Sequence, residues 1–136
     1  MRIVQLNPFH YPYMGGIEHR THEISRRLST RHEVIVLTSR LPGTAEEEVM
    51  DGYRVVRLPS RFIGRYNPPY VTTPGVLDAL NSLDADIVDF HYRWAPSYSR
   101  AMRRYEGNWM FTFHNTYGEG EGIGRALSLI NDMLFS

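Results

Sequence analysis

Apolar residues along this chain fall into short bursts separated by polar stretches, and the two alternate from end to end. The first burst, 2–8 (RIVQLNP), stops at Asn-Pro, as a buried strand stops at a breaker. Residues 16–32 (GIEHRTHEISRRLSTRH) place Ile17, Thr21, Ile24 and Leu28 at helical spacing. Arg26, Arg27 and Arg31 crowd the last turns of that helix, where cations suit the helix dipole. EVIVLTS (33–39) is β-branched and nearly all apolar, which predicts a second buried strand. Residues 41–52 read as a loop, and YRVVRLP (53–59) as an amphipathic third strand. Three prolines make 60–74 irregular. A helix is predicted over 75–84, a fourth buried strand over 85–91 and a helix over 95–107 with Pro96 in its first turn. A fifth strand (108–114), a glycine-rich loop (115–124) and an apolar helix (125–136) complete the pattern.

This mostly β-α-β alternation, with near-continuous apolar strands, predicts an α/β fold: a mostly parallel sheet covered by helices on both faces. A length of 136 residues suits one domain, 1–136. No internal repeat, low-complexity segment or linker divides it. The last helix has no cap and no following strand, so it is expected to lead into something further.

Composition narrows the chemistry. Net charge is zero with a pI near 7.0, which argues against a nucleic-acid partner. There is no cysteine, hence no disulfide and no thiolate metal site. All fifteen basic residues are arginine, so no lysine is at hand to complete a Walker motif. No apolar run approaches the length of a membrane span, and the N-terminal run is short for a signal peptide. A cytoplasmic location is the expectation.

Ligands of open parallel sheets bind beyond the carboxyl ends of the strands. Three predicted strand ends carry a histidine there: His10, His91 and His114. Tyr11, Tyr13, Tyr92, Trp94 and Tyr117 cluster with them. Gly15 and Gly16 stand directly before the first helix, where unpaired N–H groups and the positive dipole end attract anions. With no side chains there, a phosphate could approach the backbone; a tight turn into the helix is the plainer alternative. Glu18 would repel an anion if it pointed inward. His114, followed by Asn115 and Thr116, can donate to a sugar hydroxyl or shuttle a proton. His91 stays open between a ligand contact and a strand-end role. His19 and His22 match no metalloprotease pattern and read as a polar helix face. The G-x-G-x-x-G dinucleotide fingerprint is absent after the first strand, and no serine sits in a nucleophile elbow. Asp89, inside an apolar strand, has no evident role.

The order of these segments, with GGIEHRTHEISRRLSTRHEVIVLT, then DADIVDFH, then WMFTFHNTYGEG, resembles the N-terminal domain of the GT-B retaining glycosyltransferases of family 4. The resemblance covers nearly the whole chain. It implies a Rossmann-like three-layer α/β/α half of a GT-B fold, truncated here, with the acceptor side in this half and the C-terminal donor-binding domain absent from the chain. It implies hexosyl transfer from a nucleotide sugar to an acceptor hydroxyl with retention. The partners would be a nucleotide sugar, a glycan or lipid-linked acceptor, and the missing C-terminal domain, with no cofactor and no metal. Gly15 and Gly16 would lie by the donor diphosphate, and His114 by the reacting carbon of the donor sugar. His10, Tyr11, Tyr13, His91, Tyr92, Trp94, Asn115 and Thr116 would hold the acceptor or sugar. Where the family often has His-x-His, this chain has Asp89 and then His91.

The 136 residues cannot contain the family's glutamate pair, so the chain alone is expected to be inactive. The alternatives are a non-catalytic sugar- or phosphate-binding module and a truncated remnant. A remnant with an exposed sheet edge is expected to self-associate. Members with lipid acceptors make peripheral membrane contact, for which Phe62, Ile63, Arg61 and Arg65 are the sole hint here.

Overall fold

A computed structural model of the chain describes residues 1–63, 70–91 and 95–112. In chain order these form β1 (Arg2–Leu6), α1 (Gly16–Leu28), β2 (Glu33–Ser39), β3 (Glu47–Met50), β4 (Tyr53–Leu58), β5 (Arg61–Ile63), β6 (Tyr70–Thr72), α2 (Val76–Leu83), β7 (Ile87–His91), α3 (Pro96–Arg104) and β8 (Trp109–Thr112). The main sheet runs β3-β4-β2-β1-β7-β8, and β5 pairs with β6 alone. β4, β2, β1, β7 and β8 are parallel to their neighbours, and β3 is antiparallel to β4. This is the expected mostly parallel α/β sheet.

Strand alternation divides the core in two. Val4, Leu6, Ile35, Leu37, Val88 and Phe90 face α2 and α3, whose Val76, Leu80, Tyr98, Ala101 and Met102 pack on them. Ile3, Val34, Val36, Tyr53 and Val55 face the other way, with Leu28 of α1 packed against them. The sheet is thus covered on both faces, as parallel sheets require.

Three expectations need correction. Residues 41–52 are not all loop, because Glu47–Met50 forms an edge strand paired with β4. The cause is Asp51-Gly52, both at positive φ (47° and 93°), the conformation of a two-residue hairpin turn. Glutamates on that edge discourage further pairing. Residues 60–74 contain a short hairpin, with Phe62 opposite Val71. α1 buries only part of the stripe read from its spacing: Thr21 is inside and Leu28 packs on the sheet, but Ile24 is 37% exposed, and Glu18 and Ser25 are buried as well. The sheet face on that side is itself polar toward the strand ends, where Gln5, Thr38, Asp89 and His91 are buried. Polar side chains of the helix match it better than an isoleucine would. The loop and helix predicted over 115–136, and the end of the fifth strand at 113–114, lie outside the described residues.

Candidate functional site

From β1 the chain passes to β2 and β4 on one side, then crosses back to β7 and β8 on the other. The order therefore reverses between β1 and β7. Such a switch point opens a crevice beyond the strand ends, which is where doubly wound sheets bind ligands. The loop 7–15, the N-terminus of α1 and the end of β7 converge on it.

Two polar residues stand opposite each other at this point inside otherwise apolar strands. Gln5 of β1 is in register with Asp89 of β7. His91, two residues on, turns to the same face, and its Nε2 donates to Gln5 Oε1. Asp89 Oδ2 lies 3.5 Å from that nitrogen, and Asp89 Oδ1 accepts from Thr112 Oγ1 of β8 at 2.5 Å. Burial pushes the His91 imidazole down to about 4, so it is neutral at physiological pH.

The loop after β1 is tied down beside them. His10 is 1% exposed, and its Nε2 lies 2.8 Å from the Tyr53 hydroxyl. Burial, reinforced by the charges of His22, Arg57 and His91, pushes His10 down to about 3. The same hydroxyl meets His22 Nδ1 at 2.6 Å, while His22 Nε2 faces Asp51 Oδ2 at 3.2 Å. The Tyr53 hydroxyl donates to Met50 Sδ at 3.2 Å, so one phenol oxygen joins His10, His22 and Met50. Tyr11 stacks on His10 at 5.3 Å and its hydroxyl pairs with His19 Nδ1 at 3.0 Å. Tyr13 packs on Phe9 with ring centroids 5.1 Å apart. His10 is therefore turned inward under Tyr11, while Tyr11 and Tyr13 remain half-exposed.

Gly15 caps α1 in an extended conformation, and no side chain caps the helix. A Cβ on Gly15 would meet Glu18 Oε2 at 3.0 Å, whereas one on Gly16 would meet nothing within 4 Å. Glu18 is wholly buried, so its carboxylate points inward beneath Gly15. The open approach to the helix amides is thus above Gly16. Among the described residues, no group of three or more histidines and carboxylates is placed to hold a metal ion. No helix among them is long and apolar enough to cross a membrane.

Residues 14–133 match the protein-family model for Glycosyltransferase Family 4. The chain belongs to that family. No curated protein matches it. The half-domain is a glycosyltransferase-type N-terminal module with the Rossmann-like α/β architecture of a GT-B half. The family match begins at Met14 and so takes in Gly15, Gly16, His91, Tyr92, Trp94, His114, Asn115 and Thr116, with His10, Tyr11 and Tyr13 before it. Of these, Tyr92, Trp94, His114, Asn115 and Thr116 lie outside the described residues. Those described, His10, Tyr11, Tyr13, Gly15, Gly16 and His91, all belong to the switch-point end of this glycosyltransferase domain.

Sequence reasoning missed Gln5, Arg57 and Thr112. The signal for Gln5 was present as a lone polar residue in RIVQL, at the position that pairs with the lone polar Asp89 in IVDFH.

Proposed function

We propose that this chain is the acceptor-side half of an enzyme that transfers a hexosyl unit from a nucleotide sugar to an acceptor hydroxyl with retention. The bond from the sugar's anomeric carbon to the diphosphate breaks, and the bond to the acceptor oxygen forms. The acceptor's proton leaves with the diphosphate. The observation that carries the reading is the family 4 match over a sheet whose switch point gathers His91, the aromatic loop after β1 and an uncapped helix N-terminus.

On this reading, the N-terminus of α1 at Gly15 and Gly16 faces the leaving diphosphate, and the Gly16 amide stabilises its charge. Glu18 under Gly15 restricts that contact to the Gly16 side. His114 meets the donor sugar beside the reacting carbon. Tyr11, Tyr13, Tyr92 and Trp94 offer flat faces to sugar C–H surfaces, and His91, Asn115 and Thr116 meet hydroxyls. His10 acts from beneath, as the support on which Tyr11 stacks.

The test takes the protein as its native host produces it. Its intact mass is measured against 15.8 kDa, and nucleoside diphosphate release is assayed with a panel of nucleotide sugars and hydroxyl acceptors. A larger chain that releases nucleoside diphosphate and yields a product of unchanged anomeric configuration supports the proposal. Inversion, or binding of sugars with no release, overturns it in favour of an inverting enzyme or a binding module.

A further inference from the structure

We propose that Asp89 is a positioning residue: its carboxylate ties the end of β7 to the end of β8 and, with Gln5, holds His91 as the Nε2–H tautomer. This rests on the reading of His91 as a ligand contact. The geometry involves three adjacent strands. Asp89 is in register with Gln5 on one side and with Met110 on the other, and His91 is in register with Thr112. Thr112 Oγ1 donates to Asp89 Oδ1 at 2.5 Å, which closes the β7–β8 side. On the β1 side, His91 Nε2 meets Gln5 Oε1, with Asp89 Oδ2 3.5 Å away.

Both groups facing Nε2 are acceptors, so that nitrogen carries the proton. A neutral imidazole has one ring proton, so Nδ1 keeps its lone pair. Gln5, Asp89 and His91 are 1%, 7% and 0% exposed, so water cannot substitute for a lost partner at little cost.

The position along the strands points to function. A buried polar network anywhere in a sheet costs desolvation, and an apolar replacement is often equally stable. This one sits at the last residues of β7 and β8, at the switch point. Asp89 thus sets the spacing between the ends of β7 and β8.

The test is ¹⁵N NMR of the His91 ring, assigned with His91→Gln, in the wild type and in Asp89→Ala, Asp89→Asn and Thr112→Val. The expected wild-type spectrum shows a protonated Nε2 and an unprotonated Nδ1. Asp89→Ala is expected to mix the tautomers and, in the longer protein as the native host produces it, to lower kcat about tenfold or more, with a smaller effect on KM. Asp89→Asn can still accept from His91 and pair with the Thr112 hydroxyl, so it is expected to restore one tautomer and most of the turnover. A wild-type His91 protonated at Nδ1 overturns the proposal, as does Asp89→Ala with an unchanged tautomer and unchanged kcat. If Asp89→Ala does not fold, the wild-type spectrum and the milder Thr112→Val decide, the latter by a lowered or unaltered kcat. The spectra need no substrate, so failure of the transferase reading and failure of this proposal are separable.

Discussion

The guanidinium of Arg57, only 2% exposed, donates to the backbone carbonyl of Tyr11 over 2.9 Å. The same group donates to the Ala45 carbonyl at 2.9 Å and pairs with Glu48 Oε1 at 2.6 Å. One buried cation thus joins the loop after β1, the approach to β3, and β3 itself. Its planar fork suits three acceptors in different directions, which a single ammonium cannot match.

Arg57→Met takes the donor from the Tyr11 and Ala45 carbonyls, while Glu48, 39% exposed, can turn to water, so it is expected to destabilise the fold by about 1–3 kcal/mol. Arg57→Lys should recover little of it. Urea denaturation measures the loss, and faster amide exchange across 9–15 would show that the loop is released. Unchanged exchange there would mean that Arg57 does not hold the loop.

Both buried histidines link stability to pH. His10 and His91 are pushed down to about 3 and about 4 from an ordinary value near 6.5. Between those values the unfolded chain binds protons that the folded chain does not, so each histidine contributes stability above pH 6.5 that is lost as pH falls through that window. The slope is about 1.4 kcal/mol per pH unit for each histidine inside its window. The melting temperature is expected to drop steadily from pH 6.5 to 4, and His91→Gln or His10→Gln should each flatten the slope. A wild-type melting temperature that stays level over this range would refute it.

The parallel sheet was legible because parallel strands are buried on both faces, so EVIVLTS and ADIVDFH stand out as apolar runs. The edge strand Glu47–Met50 was not, because an exposed edge needs no apolar run; its signal lay in the Asp51-Gly52 turn beside it. The buried face of α1 was misread in part because spacing counts apolar residues, and this helix packs Glu18 and Ser25, beside the expected Thr21, over a polar part of the sheet. Of the three histidines read at strand ends, His91 ends β7, His10 lies in the loop four residues past β1, and His114 lies outside the described residues. Their partners were harder to see, since Gln5 and Asp89 are 84 residues apart in the chain and meet only through strand register.

A buried hydroxyl cluster closes the other face of the sheet. Tyr98 of α3 meets Ser39 Oγ at 2.5 Å, Ser39 meets Thr73 Oγ1 at 2.9 Å, and Thr73 meets Ser60 Oγ at 2.8 Å. Burial pushes the Tyr98 hydroxyl up to about 12, so it stays a neutral donor. Tyr98→Phe keeps the ring in the core but strands a buried partner, and is expected to cost about 1–3 kcal/mol. Calorimetry of this variant would show a loss below that range if the hydroxyls were bonded elsewhere.

The two glycines before α1 separate folding from ligand approach. Gly16 has open space where a Cβ would go, so Gly16→Ala should leave stability level or raise it slightly, by up to about 1 kcal/mol. The added methyl would nonetheless stand between a phosphate and the helix amides. If the diphosphate binds there, losing one charge-assisted hydrogen bond should weaken nucleotide-sugar binding about 10- to 100-fold. Gly15→Ala behaves differently, because its Cβ would press on the buried Glu18 carboxylate at 3.0 Å and cost stability first. Titration calorimetry with the same nucleotide sugar on both variants, alongside melting curves, distinguishes the two effects. A stable Gly16→Ala protein with unaltered affinity would remove the phosphate from this helix and leave the glycine pair as a turn.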